Sequence, residues 1–287
     1  MVEDRLRAIA AALDLSIERR LAGGLWGAYL GRTSGGARVV IKPLVVHPSH
    51  TLERAQGAVA LAMRLRDDGY PVPRYLDVTA VGGQVVTVQE YVDGLVPDVF
   101  EPDHARQLIV LWQMHEGRAV RIAHAPVDPL SDVRDPDGPD SQALRESGDA
   151  YIREVYEEAR AVVDSTDVAL FRGYDVVHHD FHHRNFLVRG DRIVAVFDWE
   201  GAGPGDSRAD LCELAWSSPS PDRTRDADAV ARAAFDATVE PVVAAAMAAS
   251  RAIEKLAFGL RSDPATLHGV LGSVRMHLRP RWHALGR

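Results

Sequence analysis

Cysteine and lysine are almost missing from this 287-residue chain, and it holds no long apolar run. One cysteine, Cys212, excludes an internal disulfide and any zinc site built on thiolates. The N-terminal stretch MVEDRLRAIAAALDLSIERRL carries charges throughout, where a secretory signal needs an uninterrupted apolar region. The most apolar later stretch, Pro241 to Ser250, is too short to cross a bilayer. These absences predict a protein of the reducing cytoplasm with no membrane partner. Basic residues number 33 against 41 acidic ones, and the net charge of −8 argues against a nucleic-acid partner. The surplus is local: residues 126–167 hold twelve acids and four arginines, which by itself accounts for −8. A charge run of this kind is ordinarily a solvated face.

With 46% hydrophobic and 26% charged residues, the chain has the composition of a globular protein large enough for one big domain or two modest ones. A short helix is predicted over 3–13. Strand-like runs broken by glycine follow in LSIERRLAGG, LWGAYLGRT and ARVVIKPL. Thr51 to Arg66 spaces Leu52, Ala55, Val59, Ala62 and Met63 as on a helix, DDGYPVPRYL ends it, and GGQVVTVQEYVDG reads as a glycine turn and a buried strand. This pattern predicts a small antiparallel sheet carrying one helix over 1–92. The remainder, 93–287, is mainly helical, with candidates at 103–116, 141–164, 209–217, 226–248 and 251–261 and a long surface loop at 126–140. Its β-rich exception spans 173–198, around a turn at Arg189-Gly190-Asp191.

That exception contains VVHHDFHHRNF, with four histidines in eleven residues. A histidine metal centre needs side chains that converge, at i and i+4 on a helix or at alternate positions of a strand. Here adjacent pairs enter a loop and point apart, so zinc is disfavoured. Asp180, Asn185 and Asp198, the last ending the run RIVAVFD, fit different chemistry. Phosphoryl transfer from a nucleotide needs a carboxylate to orient the attacking hydroxyl and hard oxygen ligands for Mg²⁺.

HHDFHHRN followed by VFDWE resembles the catalytic loop and metal-binding aspartate of the aminoglycoside phosphotransferase family, relatives of the protein kinases whose usual loop reads H-G-D-L-H-P-G-N. The resemblance implies an α+β, bilobal protein-kinase-like fold with a nucleotide-binding lobe over 1–92 and a catalytic and substrate-binding lobe over 93–287. It casts Asp180 as catalytic base, Asn185 and Asp198 as magnesium ligands and His178 as a structural residue. GAGPGDSRADL places Asp206 and Asp210 in the family's G-D-x-x-x-D-L pattern as supports. His179, Phe181 and the pair His183-Arg184 depart from it, standing for glycine, leucine and proline-glycine.

A kinase also needs a lysine in a buried strand for the α- and β-phosphates. VVIK supplies Lys42, one of only two lysines in the chain, and a compact ammonium suits that contact better than a guanidinium fork. Its expected partner is Glu53, the only acid on the following helix before Asp67, although Gln56 or Val59 aligns better with the family. A first-turn glutamate also simply complements the helix dipole. Gly24, in AGGLWGAYL, is expected to turn over the phosphates. VQEYVDG resembles the family's hinge, implying that the backbones of Glu90 and Val92 bind adenine.

The expected function is therefore ATP- and Mg²⁺-dependent phosphorylation of an alcohol group, with GTP a possible donor. The acidic surplus favours a polycationic antibiotic as acceptor, an aminoglycoside or a tuberactinomycin-type cyclic peptide such as viomycin or capreomycin. Asp135, Asp137, Asp140 and Glu200 are the expected substrate contacts. Macrolide kinases resemble the chain less, tending to carry histidine where Asn185 stands. Kinases of metabolites such as choline or homoserine are the alternative. A phosphohydrolase using His179-Asp180 would need that pair on a helix, and a silent nucleotide-binding module would ordinarily have lost one of Lys42, Asp180, Asn185 and Asp198. Monomer and homodimer are both compatible with the sequence.

Overall fold

Five antiparallel strands in the order β1-β2-β3-β5-β4 form the sheet of the first part of the chain. Its elements are α1 (Val2–Ala12), β1 (Leu15–Arg20), β2 (Tyr29–Thr33), β3 (Arg38–Pro43), α2 (Leu52–Asp67), β4 (Tyr75–Val81) and β5 (Gln84–Glu90). The computed structural model describes residues 2–21, 27–44, 51–119, 130–217, 220–262 and 264–283. Alternation along β3 and β5 sorts the sheet's two faces. Val39, Ile41, Val86 and Val88 join Ile9 of α1 in one apolar cluster, and Val85 joins Leu44 and Ala55 of α2 in another. Thr51 caps α2 by accepting from the Arg54 N–H at 3.2 Å. The helix buries Ala55, Ala58, Val59, Leu61, Ala62 and Leu65.

Beyond the sheet come α3 (Pro102–Trp112), α4 (Ser131–Arg134), α5 (Pro139–Arg145), α6 (Ala150–Ser165), β6 (Asp175–Val177), β7 (Phe186–Arg189), β8 (Arg192–Val196), α7 (Arg208–Trp216), α8 (Arg225–Thr238), α9 (Pro241–Arg261), α10 (Pro264–Ser273) and α11 (Arg279–His283). The predicted helix at 226–248 breaks at Pro241, which opens α9 at its first turn, where a missing N–H costs nothing. The predicted helix at 141–164 likewise divides at Gly148, and Asp149 caps α6 by accepting from the Tyr151 N–H at 2.8 Å.

The chain separates into two compact units, residues 1–96 with 185–203, and residues 97–184 with 204–287. The expected division at 92 thus falls four residues later. More consequential is the hairpin β7–β8, which the sequence reading left with the helical part and which belongs to the sheet unit. Leu95 and Val188 exchange backbone hydrogen bonds at 3.0 and 2.8 Å, and Val196 N–H donates to the Pro71 carbonyl at 2.7 Å. Gly94 permits that approach, since a Cβ there would sit 3.0 Å from the Leu187 Cβ.

Candidate active site

Because Val39 and Ile41 face one cluster, the pleat turns Lys42 to the opposite face of β3, directly across from Thr87 of β5. Both meet Glu200. The lysine Nζ donates to Glu200 Oε2 at 3.1 Å, and the Thr87 hydroxyl donates to Glu200 Oε1 at 2.8 Å. Lys42 also pairs with Asp198. Only 14% of the Lys42 side chain and 6% of the Glu200 side chain reach solvent, so each charge needs the other. Burial opposes the Lys42 ammonium, but Glu200 and Asp198 outweigh it and raise its pKa. Burial likewise opposes the Glu200 carboxylate, and Lys42 with Thr87 holds it below the ordinary range.

The turn that delivers the two acids is anchored from below. Trp199 is fully buried, donates its indole N–H to the Val196 carbonyl at 2.8 Å and meets Tyr70 edge-on at 5.4 Å. Asp198 itself is left-handed, with φ 74°, a conformation that costs a non-glycine residue about 1–2 kcal/mol. Strain of this kind concentrates at functional sites. At the same open end of the hairpin, where β7 begins, Asn185 is buried, and its backbone carbonyl accepts from the Phe197 N–H at 3.0 Å, next to Asp198. Asn185 and Asp198 therefore belong to one rigid piece of backbone within the sheet unit.

Asp180 lies in the helical unit, where a buried network shapes its loop. Asp210 accepts from the His178 N–H at 2.7 Å, from the His179 N–H at 3.0 Å and contacts His115 Nδ1 at 3.2 Å. Burial works against the Asp210 carboxylate, but the histidine and the amide donors keep its pKa below 3.8. The His178 ring in turn accepts from the Asp180 N–H at 3.3 Å, and Phe181 is buried against His115 and His178. His179, standing where the family's usual loop has glycine, takes φ 66°, the backbone that favours glycine. The Asp180 side chain is 51% exposed and faces His182 Nε2 at 3.2 Å. His183 and Arg184, at the other departure from the family loop, both bind Asp222, at 3.2 and 2.9 Å. Asp206 is fully buried and chelated by Arg208.

Several expected contacts fall elsewhere. Glu53 is exposed on the first turn of α2 and does not pair with Lys42, while Gln56 donates to the Val78 carbonyl at 3.3 Å. Glu200, expected to meet the acceptor, instead holds Lys42. This partner was missed because Glu200 reaches Lys42 and Thr87 only through non-local packing, although the lone polar Thr87 within the valine-rich run of β5 was a visible signal. Glu90 ends β5 with its N–H donating to the Arg74 carbonyl at 2.8 Å and its carboxylate paired with Arg66 at 2.9 Å, and Val92 follows the strand. Asp135 accepts from the Asp137 N–H in a turn at 2.9 Å, Asp137 is exposed, and Asp140 pairs with Arg261. Gly24 lies outside the described residues. Among the described residues no group of three or more histidines, cysteines or carboxylates is arranged to hold a metal.

The profile of the Phosphotransferase enzyme family matches residues 19–246. The fold is similar to that of aminoglycoside phosphotransferase APH(4)-Ia, at 15% identity, TM-score 0.74, over 97% of this chain and 99% of that one. It is also similar to an aminoglycoside phosphotransferase from Alicyclobacillus acidocaldarius, at 17% identity, TM-score 0.61, over 97% and 93% of the two chains. A third likeness is to macrolide 2'-phosphotransferase MphH from Brachybacterium faecium, at 20% identity, TM-score 0.59, over 95% and 98%. A thermostable mutant of APH(4)-Ia has been solved as a ternary complex with ADP and hygromycin B. No curated protein matches the chain significantly.

Proposed function

From the chain's membership of the Phosphotransferase enzyme family, to which it belongs by a match over residues 19–246, we propose that it transfers the γ-phosphoryl group of ATP to a hydroxyl of a cationic antibiotic. The observation that carries this is the sheet unit's own construction. A scarce lysine, a strained aspartate and a buried asparagine are brought onto one strand and one hairpin.

Lys42 supplies a fixed positive charge for the nucleotide phosphates, already desolvated and therefore cheap to present. Mg²⁺ takes few protein ligands and completes its shell with phosphate oxygens and water, so the Asp198 carboxylate and the Asn185 amide oxygen form a suitable donor pair. Bound there, it would neutralise charge on the phosphates. Asp180, half-exposed on a loop pinned by Asp210, is open to solvent on the side where an acceptor hydroxyl would be oriented and give up its proton.

The choice of acceptor rests on charge. The chain carries −8, and a site that also binds anionic phosphates tolerates a cation better than a neutral or anionic acceptor. The complex of the APH(4)-Ia mutant with hygromycin B lends this support. An aminoglycoside or a tuberactinomycin-type peptide meets the description. Purified protein should be screened for phosphate transfer from ATP and from GTP to a panel of aminoglycosides, viomycin, capreomycin, macrolides, choline and homoserine. Transfer to a cationic antibiotic is the expected result. Exclusive transfer to a macrolide or metabolite would refute the acceptor class, and failure with every acceptor and both nucleotides would refute the function.

A further inference from the structure

Glu200 is buried and uses both carboxylate oxygens, yet it lies two residues beyond the metal aspartate, and the family likeness gave it no role in binding nucleotide. α2 offers Lys42 nothing in its place. Its only acid before Asp67 is the exposed Glu53, and the Gln56 amide is spent on the Val78 carbonyl. Glu200, by contrast, uses one oxygen on Lys42 at 3.1 Å and the other on Thr87 at 2.8 Å. Lys42 and Thr87 are themselves cross-strand partners, so the three side chains close a small ring of contacts between two strands and the turn at 198–200.

Asp198 is the second acid on Lys42, and it cannot serve as the lysine's permanent partner. Its side chain is 31% exposed, and its charge is the one that a metal–nucleotide complex would claim. Once it is so claimed, Glu200 is the remaining carboxylate that holds the ammonium in place. Its own side chain is 6% exposed with both oxygens occupied, an arrangement suited to holding Lys42 and poorly suited to giving up an oxygen to a hydrated ion.

We propose that Glu200, supported by Thr87, is the positioning residue that sets Lys42 for the nucleotide phosphates, in the place where a carboxylate of α2 was expected. The proposal rests on the phosphotransferase function. In consequence the phosphate lysine and the metal aspartate are tied to one turn, 198–200.

The test is calorimetric titration of the intact chain with the non-hydrolysable nucleotide AMP-PNP at saturating Mg²⁺, repeated across a range of Mg²⁺ concentrations. Glu200→Gln keeps the shape but removes the charge, and should weaken nucleotide binding about tenfold or more, as loss of a buried charged partner does. Thr87→Val, which deletes only the hydroxyl, should weaken it about threefold, and Glu53→Ala should leave it within about twofold. The Mg²⁺ concentration that half-saturates binding, and the KM of any acceptor found, should be unchanged in all three. Unchanged nucleotide affinity in Glu200→Gln would overturn the proposal. So would an effect that vanishes at high Mg²⁺, which would make Glu200 a metal ligand, or a loss confined to Glu53→Ala. If Glu200→Gln does not fold, Thr87→Val decides: a selective loss of nucleotide affinity supports the proposal, and none overturns it. Wild-type protein that fails to bind nucleotide would overturn the phosphotransferase function as well, whereas wild-type binding with indifferent variants overturns this proposal alone.

Discussion

Asp210 shows how a residue remote from the reacting groups shapes them. It is fully buried and spends its carboxylate on two successive backbone N–H groups and one histidine ring, so it fixes the loop that presents Asp180. Asp210→Asn keeps the volume but removes the charge and turns half of the acceptor set into donors. Chemical denaturation should show a loss of about 2–4 kcal/mol, the range for breaking a buried charged network. The pH dependence follows from the depressed pKa. Asp210 stabilises the fold fully above its unfolded value near 3.8, and that contribution disappears as pH falls through its lower folded value. The variant should therefore lose less stability than wild type on acidification below pH 4, and an identical acid slope would contradict this role. What was legible in the sequence is that Lys42, Asn185 and Asp198 are scarce or specific residue types in or beside strand-like runs, which the structure brings into one sheet-and-hairpin unit. Glu200's true partner was not legible, because a chain of letters does not record that Thr87 and Lys42 stand opposite each other.

At the level of elements, the sheet was readable from period-two alternation and glycine turns, and α2 from its apolar spacing. Errors clustered where one residue decides a boundary. Pro241 begins a helix that hydropathy alone would have run straight through, and Gly148 with Asp149 separates two helices that share one apolar pattern. The hairpin β7–β8 was recognised as strands but placed with the wrong unit, because the bonds joining it to Leu95 and Pro71 are non-local. The sheet also contains a glycine whose role only packing reveals. A Cβ on Gly31 would stand 2.5 Å from the Ser16 carbonyl oxygen and 2.7 Å from Ile41 Cδ1. Gly31→Ala must push β1 away from β2 or displace a core isoleucine, and thermal unfolding should show a loss of about 1–3 kcal/mol, as for overpacking. A wild-type melting temperature would mean that the β1–β2 pairing is looser than its register implies.

For the whole molecule, net charge was read correctly from the sequence, but its local meaning was not. Much of the acidic surplus in 126–167 is consumed nearby: Glu154 and Glu158 bind Arg279, Asp164 binds Arg160, Asp140 binds Arg261, and Asp149 caps α6. Long-range attraction of a cationic acceptor then falls to the molecule's overall −8 and to the bound nucleotide. The KM of such an acceptor should rise severalfold, roughly three- to tenfold, between low and physiological salt, with that of ATP changing less. A salt-independent KM would remove electrostatics from acceptor choice. No helix among the described residues is long and apolar enough to cross a membrane, in keeping with the absence of long apolar runs from the sequence. The proposed role of Asp180 as the base of a phosphoryl transfer can be tested directly. Wild type and Asp180→Ala are compared for turnover on the best acceptor and for AMP-PNP affinity. The expected result is a fall in kcat of about 10²-fold or more with nucleotide affinity kept within a few-fold; wild-type turnover in the variant would contradict the role of Asp180.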